Sequence, residues 1–323
     1  MDYPCTSNLA VDLGRIDYSA CLDLQRFLVD QAKTGKFHVK TIFTAGMGFF
    51  SDAYDLFVTS TAIPIIVAVF GITNSNNIFG TSYIGPLGAA SVETGMIGAM
   101  ALFGAFVGAI VFGRIADLKG RRYIYGLEMT ILLVFAIVSA FSINIPMLMI
   151  SRFILGIGVG GDYPVSSIIM SEYSSVRNRG KMVLSVFSMQ GFGLLFGSLI
   201  GLVSIHFLPL DYAWRVMLGF GAVPAASVIY LRRRIKESPR YSIEMGDRAG
   251  AAAAVQAATG KKVSVSAERV KARKMSPSQF LRNYWVILLG TAGSWFLFDM
   301  AFYGNKPYEA PKKQAKSLHG KYR

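Results

Sequence analysis

Charge is what this sequence of 323 residues has least of for its length: Asp, Glu, Lys and Arg make up 16% of it, against roughly 25% in ordinary soluble domains. Too little charge remains to cover a water-exposed surface. Cysteine is scarcer still, with only Cys5 and Cys21, both ahead of the first apolar run, which excludes a disulfide scaffold. The histidines are His38, His206 and His319, far apart in the chain, and no His/Cys metal spacing, nucleophile elbow or phosphate-cradling P-loop occurs. No catalytic residue, metal or cofactor is therefore expected, and the chain reads as something other than an enzyme.

What the sequence does have is apolar length. Hydrophobic residues make up 53% of it, and crossing about 30 Å of hydrocarbon takes roughly 20 helical residues. Stretches of that kind run over about 41–70, 87–112, 123–142, 146–170, 182–207, 213–231 and 284–304. The expected fold is an all-α polytopic membrane protein in the lipid bilayer.

A formal net charge of +14 would suggest a nucleic-acid partner in a soluble chain, but its placement says otherwise. Basic residues fill alternate loops: Arg114, Lys119, Arg121 and Arg122, then Arg177, Arg179 and Lys181, then a dense set from Arg232 to Arg282. The segments 71–86, 143–145 and 208–212 have no Lys or Arg. By the positive-inside rule the N-terminus and the long central loop face the cytoplasm. No nucleic-acid partner is expected.

The organisation follows as a cytoplasmic segment 1–40, a six-helix bundle 41–231, a cytoplasmic central loop 232–283, a seventh helix 284–304 and a basic tail 305–323. Six spans, a long loop and a new span are the layout of a two-half transporter with 3+3 inverted repeats in each half. An odd seventh span would put the basic tail outside, against the charge rule, so the chain reads as truncated or frameshifted. A seven-helix receptor is the rival, but such receptors begin outside.

"GIGVGGDYP" places Gly156, Gly158 and Gly161 in the spacing of a dinucleotide-binding turn. That turn needs a strand before it and a helix after it, whereas these glycines fall inside the fourth span. Small residues there let helix backbones approach closely. Asp162 and Tyr163 follow directly, and an ionised acid at membrane depth costs about 2.5 to 3.5 kcal/mol on the insertion scale. Asp162 therefore needs either an arginine partner or a functional cavity.

"FFSDAYDLF" repeats the oddity, with Asp52 and Asp55 three apart on one helix face. "SWFLFDMAFYG" repeats it again, with Trp295, Asp299 and Tyr303 on nearly one stripe. Gln190 is polar in the fifth span and serves either a neighbouring helix or a substrate. Glu128 and Arg152 are expected to form an ion pair, and Arg215 to snorkel toward an interface.

"GRIADLKGRR" and "ESPRY" resemble loop signatures of the major facilitator superfamily. "FFSDAYDLF", "GGDYPVSSIIMSEYSSVRNRGK", "FSMQGFG" and "WFLFDMAFYG", taken in order, resemble the phosphate:proton symporter family over about residues 40–304. The resemblance implies a major facilitator fold, represented by the N-terminal six-helix bundle plus the seventh helix, in the plasma membrane. It implies inorganic phosphate and protons as partners, with a C-terminal half missing. Tyr163, Gln190, Trp295, Asp299 and Tyr303 match positions lining the phosphate site. Asp52, Asp55 and Asp162 match the acids of proton transfer, and Asp299 joins them because its ionised form would repel phosphate. Asp117, Arg121, Arg122, Glu172, Arg177 and Arg179 match the cytoplasmic gate. Two readings compete with phosphate:proton symport: a proton-coupled sugar or organic-acid transporter, and a non-transporting phosphate sensor or fragment.

Overall fold

The computed structural model describes residues 35–70, 88–175, 177–232, a few positions between 241 and 256, and 276–321. Among them the regular elements are α-helices: α1 (Lys36–Val69), α2 (Gly88–Lys119), α3 (Arg121–Ala140), α4 (Ile145–Tyr173), α5 (Arg179–Phe207), α6 (Leu210–Gly219), α7 (Ala222–Arg232) and α8 (Pro277–Lys321). Six stretches of the described residues are long and apolar enough to cross a membrane: Lys36–Val69, Thr94–Lys119, Tyr123–Ala140, Ile145–Tyr173, Arg179–Phe207 and Leu210–Arg232. In lipid the backbone must satisfy its own hydrogen bonds, which is why apolar runs of this length become helices. Cys5, Cys21, the loop 71–86 and most of the central loop lie outside the described residues.

The punctuation between helices has local causes. Gly120 joins α2 to α3 with φ at 94°, a backbone that side-chain-bearing residues rarely adopt. Asn144 caps α4, its side chain accepting from the Met147 N–H at 2.9 Å, and Pro146 occupies the first turn, where its missing N–H costs nothing. The sixth span, read from sequence as one helix over 213–231, is two: α6 ends at Gly219 and α7 begins at Ala222. Pro224 has no N–H to bond back to the Phe220 carbonyl, and that was the signal for the break. At the other end of the chain α8 runs on as one helix to Lys321, past the expected end of the seventh span at 304.

Helix packing follows a paired pattern. The two most extensive interfaces are α1 on α5 and α4 on α2, and α3 packs against α4 and both pieces of the sixth span. Exchanging spans one, two and three for four, five and six turns the first interface into the second, as an inverted 3+3 repeat requires. The α2–α4 interface is built on glycine: a Cβ on Gly156 or Gly160 would overlap the carbonyls of Ala101 or Ala105, and one on Gly104 or Gly108 those of Phe153 or Ile157. The glycine spacing therefore joins two helices at close range. A core around Tyr54, Val58, Ile66, Leu148, Trp214 and Met217 closes one end of the bundle, with the Tyr54 hydroxyl donating to the Met217 carbonyl at 2.8 Å.

Candidate functional site

Helices α1 and α4 bring the anomalous acids to the centre of the bundle. Asp52, Asp55, Glu128, Arg152 and Asp162 are fully buried and Arg232 nearly so, in a fold whose outer surfaces are apolar. Two groups form. In the first, Arg232 at the end of α7 forks between α3 and α4: one Nη donates to Glu128 Oε1 at 2.9 Å and the other to Asp162 Oδ1 at 2.7 Å. Ser166 Oγ also donates to Asp162, at 2.6 Å, and the guanidinium carbon stands 3.9 Å from the Tyr125 ring centroid. Gly48 on α1 leaves the space, since a Cβ there would overlap both Arg232 Nη2 and Asp162 Oδ2.

This arrangement revises one sequence expectation. Glu128 does not pair with Arg152; its partner is Arg232, which sequence reasoning had counted with the basic loop. The Asp162 carboxylate has an arginine partner, one of the two alternatives the sequence left open, and its Oδ2 has no hydrogen-bond donor among the described residues. The signal for Arg232 was charge balance. Three buried acids in adjoining spans call for a cation, and Arg232 is the first residue of the "RRR" run that still lies within reach of the membrane.

The second group is Asp55 with Arg152. Each feels the other's charge, yet neither the Asp55 oxygens nor the Arg152 guanidinium nitrogens have a hydrogen-bond partner among the described residues. Asp55 sits at the break in the sixth span, where a Cβ on Gly221 would overlap its carboxylate. A broken helix is where buried backbone N–H groups face a cavity rather than lipid. Arg215, expected to snorkel, instead donates from Nη1 to the carbonyls of Ala140 and Ser142 at 2.7 and 2.9 Å. It caps the end of α3 and lies 4.3 Å over the Trp214 ring.

A third set of contacts joins α4, α1, α5 and α8 through a polar pair and a row of aromatic rings. Gln190 on α5 donates from Nε2 to the Tyr163 hydroxyl on α4 at 2.8 Å. The Tyr163 ring lies 4.8 Å from Phe49 on α1, Phe49 lies 4.6 Å from Phe187 on α5, and Phe187 stacks at 6.5 Å on Trp295 of α8. The aromatic chain brings Tyr163, Gln190 and Trp295 to one side of the bundle; Phe49 and Phe187 were not anticipated because a lone Phe in an apolar span carries no signal. Trp295 is 58% exposed. Asp299 and Tyr303 lie one and two turns further along α8, and their side chains fall outside the described residues.

At the basic end of the bundle, Arg121 Nη2 meets Glu172 Oε1 at 3.3 Å, and its guanidinium carbon stands 5.1 Å from the Tyr241 ring centroid. The start of α3, the end of α4 and the segment after α7 are thereby tied together. Asp117 and Arg177 are exposed and Arg179 is half-buried, while the side chain of Arg122 lies outside the described residues. Alongside, His38 joins the start of α1 to the end of α4: Nδ1 accepts from the Gly35 N–H, and Nε2 lies 3.2 Å from the Tyr173 carbonyl. Among the described residues no cluster of His, Cys, Asp and Glu could hold a metal ion.

Comparison with known proteins puts this geometry in a family. The chain is 35% identical over 314 residues to "Inorganic phosphate transporter 1-1" of Oryza sativa subsp. japonica, a match covering 87% of the chain and 58% of that relative. It is 35% identical over 319 residues to "Probable inorganic phosphate transporter 1-6" of Arabidopsis thaliana, covering 87% of the chain and 60% of the relative. The chain thus spans less than two thirds of the length of these curated relatives. Among solved structures, a double-tryptophan mutant of XylE superimposes with a TM-score of 0.62 at 22% identity, over 69% of this chain and 50% of that one. The proton:xylose symporter XylE bound to 6-bromo-6-deoxy-D-glucose gives 0.59 at 24% identity, over 69% and 50%. Those likenesses establish the major facilitator fold. The family model described as "Sugar (and other) transporter" matches residues 41–302, and the chain belongs to that family of integral membrane transporters.

Proposed function

We propose that the chain carries the N-terminal half and seventh helix of an inorganic phosphate transporter that moves its substrate with protons by alternating access. The observation that carries this reading is its 35% identity to named inorganic phosphate transporters over 87% of its length. Tyr163, Gln190, Trp295, Asp299 and Tyr303 bind the anion. The Tyr163–Gln190 hydrogen bond supports this, because an exposed tetrahedral anion is best met by neutral donors that keep their places. Asp52, Asp55, Asp162 and Asp299 handle the proton, and Asp117, Arg121, Arg122, Glu172, Arg177 and Arg179 form the cytoplasmic gate. The orientation puts the N-terminus inside and the membrane is the plasma membrane.

Coupling follows from charge. Phosphate at about 4 Å from an ionised Asp299, at an effective dielectric near 20, is repelled by roughly 4 kcal/mol. Protonation of Asp299 removes that repulsion and turns the carboxyl into a donor. Phosphate and proton then strengthen each other's binding by the same factor, as linkage requires. The bundle of residues 41–231, the central loop 232–283, the seventh helix 284–304 and the tail 305–323 are assigned as separate units on the same reading.

The test is phosphate uptake into proteoliposomes by this chain joined to the C-terminal half of its rice relative, with sulfate, arsenate, glucose and citrate as competitors. Arsenate alone should compete strongly, and Asp299→Asn should abolish the stimulation by an inward proton gradient. Competition by glucose or citrate would return the chain to the organic-solute symporters.

A further inference from the structure

Arg232, the last residue of the sixth span, is buried and turns back into the bundle. Its charged and polar surroundings are Asp52 on α1, Tyr125 and Glu128 on α3, and Asp162 and Ser166 on α4; Asp55 acts on Asp52 from the same helix. Asp52 stands one turn along α1 from Gly48, where a Cβ would overlap Asp162 Oδ2, and its carboxyl is close enough to act on that of Asp162; neither oxygen of Asp52 has a hydrogen-bond partner among the described residues. Two facing carboxyls can bond only through a proton held between them. Charge counting agrees: Asp52, Glu128 and Asp162 bring three negative charges against the single positive charge of Arg232, and buried charges without partners are costly.

We propose that Arg232 is the positioning residue of the proton relay: it holds Asp162 against Asp52, so that the proton passes between these two carboxyls, and it transmits that passage to the sixth span. The inference rests on the reading of Asp52 and Asp162 as proton-coupling acids. The step is a transfer from Asp52–COOH to Asp162–COO⁻, giving Asp52–COO⁻ and Asp162–COOH. When Asp162 is neutral, the arm of Arg232 that it held loses its ionic partner, while the other arm stays on Glu128. Two separate arms make this possible, since each Nη of the planar fork serves one acid. Arg232 is the last residue of α7, so a change in its grip acts at the point where the sixth span leads into the central loop.

Infrared difference spectroscopy of the purified full chain in nanodiscs reads protonated carboxyls directly and needs neither phosphate nor transport. The carboxylic-acid band should lose intensity in Asp52→Asn. In Arg232→Gln it should rise, because Asp162 and Glu128 both lose their counter-ion and retain protons of their own, and Arg232→Lys should restore the native intensity. The charge-balanced double variant Arg232→Gln/Glu128→Gln, which removes one cation and one acid together, guards against a single variant that fails to fold; it should show the same added proton on Asp162. An unchanged band in either Arg232→Gln background, or a band of native intensity in Asp52→Asn, overturns the proposal. A protein that fails to move phosphate yet shows these bands would refute the transport reading and leave the role of Arg232 standing.

Discussion

Replacing Gly160 by alanine puts the close packing of α2 on α4 to a direct test. The added methyl would overlap the carbonyl, the carbonyl carbon and the Cα of Ala105. All of these atoms are backbone, so no rotamer change relieves the overlap and the two helices must move apart. Inserting a methyl group into a packed interior costs typically about 1–3 kcal/mol, and a rigid backbone neighbour places Gly160 at the upper end. About 3 kcal/mol is more than a hundredfold in the folded-to-unfolded ratio, since each 1.4 kcal/mol is tenfold. Gly113 and Gly126 provide the control, because a Cβ at either position meets nothing within 4 Å. In those helices Gly→Ala should be neutral or stabilising by up to about 1 kcal/mol from helix propensity. Thermal unfolding of the purified variants in detergent, followed by size-exclusion chromatography, separates the cases. Gly160→Ala as stable as the native chain, or Gly113→Ala as damaging as Gly160→Ala, would refute the packing argument.

Two further expectations concern the ends and the break. Glu172→Gln and Arg121→Gln should each weaken the basic end, and a double-mutant cycle by thermal unfolding should return a coupling of about 0.5–3 kcal/mol; additive effects would mean that the 3.3 Å pair contributes nothing. Gly221→Ala should drive the Asp55 carboxylate out of its place at the α6–α7 break. Asp55→Ala should largely rescue it by making room, and a Gly221→Ala protein as stable as the native chain would contradict the overlap.

Much of the architecture was legible because the membrane imposes a simple rule. Long apolar runs separated by charge become helices, and six of the seven expected spans correspond to membrane-capable helices among the described residues, the second running on to Lys119. The break at Gly221 was harder to see, since only Pro224 marks it and a proline within a membrane helix is commonly tolerated. Buried acids were legible one by one, because Asp52, Asp55 and Asp162 are anomalies at membrane depth. Their partners were not. Helical spacing places residues on a face of one helix but says nothing about which face another helix presents, so Glu128 was matched to Arg152 when the fold matches it to Arg232. The aromatic chain through Phe49 and Phe187 was hidden for the opposite reason, as apolar rings in apolar spans have no contrast.

Phosphate-triggered proton entry is the most direct measurement of the central claim. Proteoliposomes containing a lumenal pH dye would hold the chain joined to the C-terminal half of its rice relative, with the intact relative as a positive control. Adding phosphate outside should acidify the lumen, and a protonophore should abolish that signal, while xylose and citrate leave the lumen unchanged. Acidification triggered by xylose or citrate and not by phosphate, with the control active, would contradict the account.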